Sequence, residues 1–392
     1  MYMTDISEQN NIDQTLEFSS EPGLNLDDDS KEDSKAEQIA QLSKEGYALL
    51  KIEDTDKAIE EFKKILELEE HNNYALVGLG DAARKKENCK EAIEYYTECL
   101  TYHPGNNYAL FGLADCYKSL NQYAKAIQIW EQYLLHDDTN ITVLTRIADA
   151  YRKTHDFQNS KRLYTKVLAI EKNNPYALIG LGHLHYDFKK YKEALFYWQK
   201  VVDTNPENID IRVLTSIGNC YRKMKLFDKG AMYFEKTLEK DPKNFYGLFG
   251  LADCYRGLGQ QEKSIKYWAA ILEKDPKNKV ILTRVGDAYR HIGMYDKAEE
   301  TYQKALDIDY DSYATLGLAI LRKIQGKYAE AITALDRLLQ NDKKNYRIYL
   351  ELADCYKQIG QRHKAVEILK SFQQYGIKNQ SITDTLNELA EG

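Results

Sequence analysis

Three patterns in this 392-residue chain combine residue types and spacings that could carry chemistry. The stretch Gly78–Ala83, GLGDAA, fits the GxGxxA pattern in which a strand delivers a glycine turn and the next helix aims its N-terminus at a pyrophosphate. His183 and His185 are zinc-ligand types, and Cys89, Cys99, Cys116, Cys220, Cys254 and Cys355 could be ligands or disulfide partners. Each pattern fails on its surroundings. Both glycines fall inside a helical pattern, and two histidines two apart lie on nearly opposite helix faces, where a zinc pair wants four. Four of the cysteines, 116, 220, 254 and 355, recur beside Tyr117, Tyr221, Tyr255 and Tyr356, as small core residues do. Cys89 and Cys99 are ten apart with no CxxC partner. No serine, cysteine or histidine has the context of a nucleophile, and the carboxylates Asp27 to Asp29 sit in an acidic terminal segment. The expectation is therefore no catalytic residue, no metal, no cofactor and no enzyme.

The elements that would have to position any site are repeated. The string NNYALFGLADCY at 106–117 returns as KNFYGLFGLADCY at 243–255. A small residue recurs at Ala58, Ala92, Ala126, Ser160, Ala194, Gly230, Ser264, Ala298, Ala331 and Ala365, at steps of 34 with one of 36 and one of 33. Ten units follow, starting at Ile39, Asn73, Asn107, Ile141, Pro175, Ile211, Phe245, Lys279, Ser312 and Tyr346. In most, a first helix carries an apolar-small pair such as Leu79-Gly80 or Leu113-Ala114, the first unit departing with Glu45 before Gly46. A second helix carries the ladder residue and, four further on, a large one: Phe62, Tyr96, Trp130, Tyr164, Trp198, Phe234, Trp268, Tyr302. The small residues let helices approach and the large ones fill the space between units, so the three tryptophans are expected in the core. Pro104, Pro206, Pro242 and Pro276 mark ends of second helices.

On these residues the chain resembles the tetratricopeptide repeat family, whose W-x2-L-G-x2-Y, A-x3-F, P pattern it follows over 39–379. The resemblance implies an all-α alpha-alpha superhelix of about ten helix-turn-helix repeats, spanning 34–379, with the first helix of each pair lining a concave groove. Residues 380–392 read as a C-terminal capping helix: Ser381 and Asp384 have capping-box spacing, and Ile382, Leu386 and Leu389 form one apolar stripe.

Groove slots show a second period, of two repeats. Units two, three, five and seven carry Tyr-x-x-apolar-Gly, as in Tyr108, Phe111, Gly112; Tyr176, Ile179, Gly180; and Tyr246, Phe249, Gly250. Units four, six and eight carry polar rungs instead: Arg146, Asp149, Arg152; Ser216, Asn219, Arg222; Arg284, Asp287, Arg290. With Asp115 and Asp253, these make a candidate peptide- or protein-binding groove. The glycines suggest backbone access or a pocket beside the tyrosines, and the arginines suit carboxylate recognition. The same period also reads as duplication of a 68-residue unit, with Asp149–Arg152 and Asp287–Arg290 as a solvated lattice. The family's two-carboxylate clamp is not expected, because the slot that should hold asparagine is mostly aspartate, which would repel a carboxylate.

Charge completes the picture. Of the net −7, residues 1–33 contribute −9 through ten acids and Lys31, leaving a nearly neutral body with no general footprint for nucleic acid. That segment reads as a disordered acidic tail, which either solvates the protein or occupies its own groove. No apolar run approaches the ~20 residues of a membrane span, and six unpaired thiols fit a reducing compartment. The expected protein is a cytoplasmic protein-interaction scaffold or adaptor with a protein or peptide partner. A secretion or assembly chaperone and a self-associating structural protein are the alternatives.

Overall fold

The computed structural model describes residues 29–204 and 206–391, so most of the acidic tail, 1–28, lies outside the described residues. Among the described residues every regular element is a helix, and the chain divides into two compact units, Met1–Pro206 and Glu207–Gly392. The first holds α1 (Asp29–Lys51), α2 (Thr55–Leu68), α3 (Asn73–Lys85), α4 (Cys89–Tyr102) and α5 (Asn107–Ser119). It continues with α6 (Tyr123–Leu134), α7 (Ile141–Lys153), α8 (Phe157–Ile170), α9 (Pro175–Asp187) and α10 (Tyr191–Thr204). The second holds α11 (Ile211–Lys223), α12 (Phe227–Lys240), α13 (Phe245–Gly257), α14 (Gln261–Lys274), α15 (Lys279–His291) and α16 (Tyr295–Ile308). It ends with α17 (Ser312–Ile324), α18 (Tyr328–Asn341), α19 (Tyr346–Gln358), α20 (Arg362–Gln373) and α21 (Gln380–Glu391).

Nine of the ten expected unit starts coincide with the first residue of a helix, α3 to α19, for a local reason. Each start follows an asparagine or aspartate (Asn72, Asn106, Asn140, Asn174, Asp210, Asn244, Asn278, Asp311, Asn345) whose side chain accepts a backbone N–H two or three residues on. The exception is α1, which opens at Asp29, ten residues before Ile39. The second helices α4, α10, α12 and α14 stop two residues before Pro104, Pro206, Pro242 and Pro276. The last helix is capped by Asn379, which accepts the Ile382 N–H at 3.2 Å, and not by Ser381 as its spacing with Asp384 suggests. Ile382 and Leu389 of α21 are buried against Ala365, Leu369 and Phe372.

The turn inside each hairpin needs one residue in the left-handed region. The first six hairpins use Glu53, Glu87, Asn121, His155, Lys189 and Lys225, at φ between 58° and 65°, and the last four use Gly259, Gly293, Gly326 and Gly360. At Lys189 the closure is a Schellman turn: the Lys190 N–H donates to the His185 carbonyl at 2.8 Å and the Lys189 N–H to the Tyr186 carbonyl at 2.9 Å. A left-handed non-glycine costs about 1–2 kcal/mol, and glycine's extra freedom when unfolded returns roughly half of that. Lys189→Gly is therefore expected to raise the unfolding free energy by up to about 1 kcal/mol, read by denaturant titration. An unchanged or lowered midpoint would show that the turn is not strained.

Within each unit a second helix packs on the first helices of its own and the next hairpin, and first helices also pack on one another: α1 on α3, α3 on α5, α7 on α9, and α11 on α13, α15 on α17. First helices thus form the inner layer of each unit. The core runs between the layers. Phe62, Tyr96, Trp130, Tyr164, Trp198, Phe234, Trp268 and Tyr302 are all fully buried there. Burial also pushes the Cys99 and Cys355 thiols up to about 11 and those of Cys220 and Cys254 to about 12, which leaves them poor nucleophiles.

Candidate functional site

The two-repeat period has a packing cause that begins with the large residue of each second helix. The Tyr96 ring lies between Gly80 of its own hairpin and Gly112 of the next, where added Cβ atoms would stand 2.5 and 2.3 Å from it. Tyr302 lies likewise between Gly286 and Gly317, and Phe234 between Gly218 and Gly250. The glycines read as backbone access are therefore filled by rings from behind, and Gly78, Gly112, Gly180 and Gly250 are buried. Wherever the incoming first helix has this glycine, it closes on its predecessor. Where Arg146 and Arg284 stand instead, on α7 and α15, the first helices do not pack closely on α5 and α13.

The ring also decides how an acid in the slot eight residues into a unit is satisfied in units two, three, four, seven and eight. Tyr96 donates its hydroxyl to Asp81 at 2.6 Å, Tyr302 donates to Asp287 at 2.7 Å, and Tyr164 donates to Asp149. Trp130 and Trp268 have no hydroxyl, and in their hairpins the acid is met by arginines from both neighbouring repeats. Asp115 receives Arg146 at 2.7 Å and Arg84 at 3.4 Å. Asp253 receives Arg222 at 2.6 Å, Arg284 at 2.7 Å and, from its own helix, Arg256 at 3.2 Å. In each unit a phenylalanine lies under one or two of these guanidiniums. Arg146 is 4.8 Å from the Phe111 ring centroid, and Arg284 and Arg222 are 5.0 and 6.0 Å from that of Phe249.

The candidate residues consequently sort into groups. Phe111, Asp115 and Arg146 come together in the first unit, and Asn219, Arg222, Phe249, Asp253 and Arg284 in the second, where Arg222 donates to the Asn219 Oδ1 at 2.9 Å. Tyr108 and Tyr246, in the first turns of α5 and α13, are exposed, as is Tyr176 of α9. Asp149 and Arg152 belong to a different cluster, with Tyr164 and with Asp187 at 2.8 Å. Arg152 is nearly buried, so that pair is no solvated lattice. Asp287 and Arg290 pair at 3.2 Å beside the Tyr302 hydroxyl. The reading from sequence missed Arg84, Arg256, Asp187 and the tyrosine hydroxyls. A signal was present, since Arg84, Arg146, Arg222 and Arg284 all stand 31 residues from the acid they meet. The aspartates at 115 and 253 are also not bare negative charges, because cations surround them. The expected repulsion of a carboxylate fails at that point.

Family models described as tetratricopeptide repeat match residues 43–98, 83–145, 233–266, 281–312 and 324–373. The chain belongs to the tetratricopeptide repeat family. Repeats of this kind build protein-interaction scaffolds and are typically non-catalytic. A model described as anaphase-promoting complex subunit 5 also matches, over 136–229. Among curated proteins, this tetratricopeptide repeat chain is 32% identical over 90 residues to the RNA polymerase-associated protein CTR9 of Caenorhabditis elegans. That match covers 23% of the chain and 8% of the relative. It is 38% identical over 73 residues to the TPR repeat-containing protein MJ0798 of Methanocaldococcus jannaschii, covering 19% of the chain and 21% of the relative. The chain thus aligns with only a small part of each relative. Among solved structures, one from a characterisation of Pseudomonas aeruginosa pilF aligns at TM-score 0.46 and 17% identity over 55% of this chain and 96% of that one. The MamA protein aligns at 0.39 and 24% over 44% and 92%. Among the described residues no helix is long and apolar enough to cross a membrane, and no three His, Cys, Asp or Glu side chains gather to hold a metal ion.

Proposed function

We propose that the chain is an adaptor that holds a peptide segment or partner protein, not a nucleic acid, on the inner layer of first helices, in a reducing cytosolic compartment. The observation that carries this is the same surface built twice. Exposed Tyr108 and Tyr246 stand one helical turn from Phe111 and Phe249, and each phenylalanine lies under at least one arginine fixed by a central aspartate. Aromatic rings and pre-oriented guanidiniums side by side are what protein interfaces concentrate at their centres. Fixing the arginines before binding also lowers the entropy lost when a partner docks. The six cysteines are free and five of them buried, as in a protein kept under reducing conditions.

The test is affinity capture with the whole chain and with Tyr108→Ser and Tyr246→Ser, alone and together. Both side chains are exposed, so melting should be unchanged. Proteins held by the parent and lost from the double variant are the expected result. Full retention of every captured protein would place the binding surface elsewhere.

A further inference from the structure

The two hubs are built alike but are not charged alike, and one residue makes the difference. Around Asp115, Arg84 is shared with Asp81 at 3.2 Å, so two arginines face two acids. The residue of the second hub that corresponds to Asp81 is Asn219. The partner hydroxyl has gone with the carboxylate: where Tyr96 donates to Asp81, Phe234 packs beside α11. The repeat slot of Arg256 is held by Lys118 in the first unit. Three arginines therefore converge on one aspartate that is only 4% exposed, while Arg222, Arg284 and Arg256 are 22%, 30% and 49% exposed.

Counting donors shows what this leaves open. Three guanidiniums carry about 15 N–H groups, and one carboxylate offers roughly four acceptor sites. Asn219 takes two more from Arg222. The three guanidiniums remain partly exposed, and those of Arg222 and Arg284 lie beside the Phe249 ring. Like-charge crowding is visible in Arg284, held below the usual arginine range by burial and by Arg256 and Arg222, against Asp253 and Asp287. In the first hub Arg84, which holds the slot of Arg222 and not that of Arg284, stays above the usual range: burial opposes its charge, but Tyr96, Asp81 and Asp115 outweigh it. Burial together with Arg290, Arg256 and Arg347 keeps His291 below its ordinary value, opposed by Asp287.

We infer that the Arg222–Arg256–Arg284 cluster, two of whose guanidiniums lie over Phe249, is a recognition site for an anionic side chain, glutamate, aspartate or phosphorylated serine, of an acidic peptide segment. Asp253 orients the guanidiniums, and the ligand oxyanion takes their outward N–H groups in charge-assisted hydrogen bonds. An apolar residue of the same segment lies against Phe249 and Tyr246. The first hub, balanced by Asp81, does not take an anion. This rests on the adaptor reading above and narrows it to one chemical class of partner.

The probe is a short fluorescein-labelled peptide with glutamates spaced by leucines. Its glutamine counterpart, a version with phosphoserine in place of glutamate and a single-stranded oligonucleotide are measured beside it by anisotropy with the full chain. The glutamate or the phosphoserine peptide should bind and the glutamine peptide should not, and which of the two is tighter identifies the anion. Asn219→Asp, which copies the first hub, should weaken binding about tenfold, the worth of one charge-assisted hydrogen bond. Arg256→Gln, at an exposed position, should do likewise. Asp81→Asn should create a second site on the first hub. Equal binding of glutamate and glutamine peptides, or affinities unmoved in Asn219→Asp and Arg256→Gln, overturns the anion site while leaving an adaptor that binds neutral segments. Binding of the oligonucleotide in place of the peptides overturns it in favour of nucleic acid, and binding of no probe overturns it outright.

Discussion

Trp268→Ala should lower the unfolding free energy by about 3–5 kcal/mol, the range for removing a buried aromatic ring. The Trp268 side chain is 0% exposed among Leu248, Ala252, Ile271, Ile281, Val285 and Ala288, which come from α13, α14 and α15. Its indole nitrogen has no hydrogen-bond partner, so the residue works by packing alone. The cavity would open at the junction of two hairpins, where each repeat gains its stability from its neighbour. Denaturant titration followed by far-UV circular dichroism reads the change. A variant that melts with the parent while losing its binding partner would reverse the assignment of core and surface.

Gly112→Ala should be destabilising by about 1–3 kcal/mol, although mid-helix glycine to alanine ordinarily gains about 1 kcal/mol. The steric term decides the sign. The new methyl would lie 2.3 Å from the Tyr96 Cζ and 2.7 Å from its Oη. The ring cannot swing aside cheaply, because the hydroxyl is tied to Asp81 and the other face rests on Gly80. A second change, Tyr96→Leu, should remove most of the penalty specific to Gly112→Ala, so the double-mutant cycle measures the contact. A stabilised single variant, or strict additivity of the two changes, would mean that the glycine serves something other than the ring.

These two residues mark where reading the chain from its sequence succeeds and where it stops. Trp268 is legible because its place follows from a local period: four residues after a small ladder residue on an amphipathic helix, it must face the next helix. Gly112 is misread as a groove feature because the ring that needs it comes from the preceding repeat, on the other side of the helix layer. Its recurrence is plain in the sequence, but its cause is a contact between layers.

The sequence by itself determined the helical class, the 34-residue period and nine of the ten hairpin starts. Helix formation, asparagine capping and the spacing of small and large residues act within a few positions of each other, so they can be read along the chain. A 31-residue spacing marks the candidate pairs, but only the tertiary structure decided which acid meets which arginine. Asp253 is one of six aspartates in the same slot, alike in sequence context. It differs from Asp81 and Asp287 because its own second helix supplies a tryptophan without a hydroxyl, and the repeats on either side supply Arg222 and Arg284. Charge pairing across 31 residues depends on how neighbouring hairpins stack. Coulomb attraction and hydrogen bonding act on distance in space, which the order of residues does not carry until the hairpins are packed.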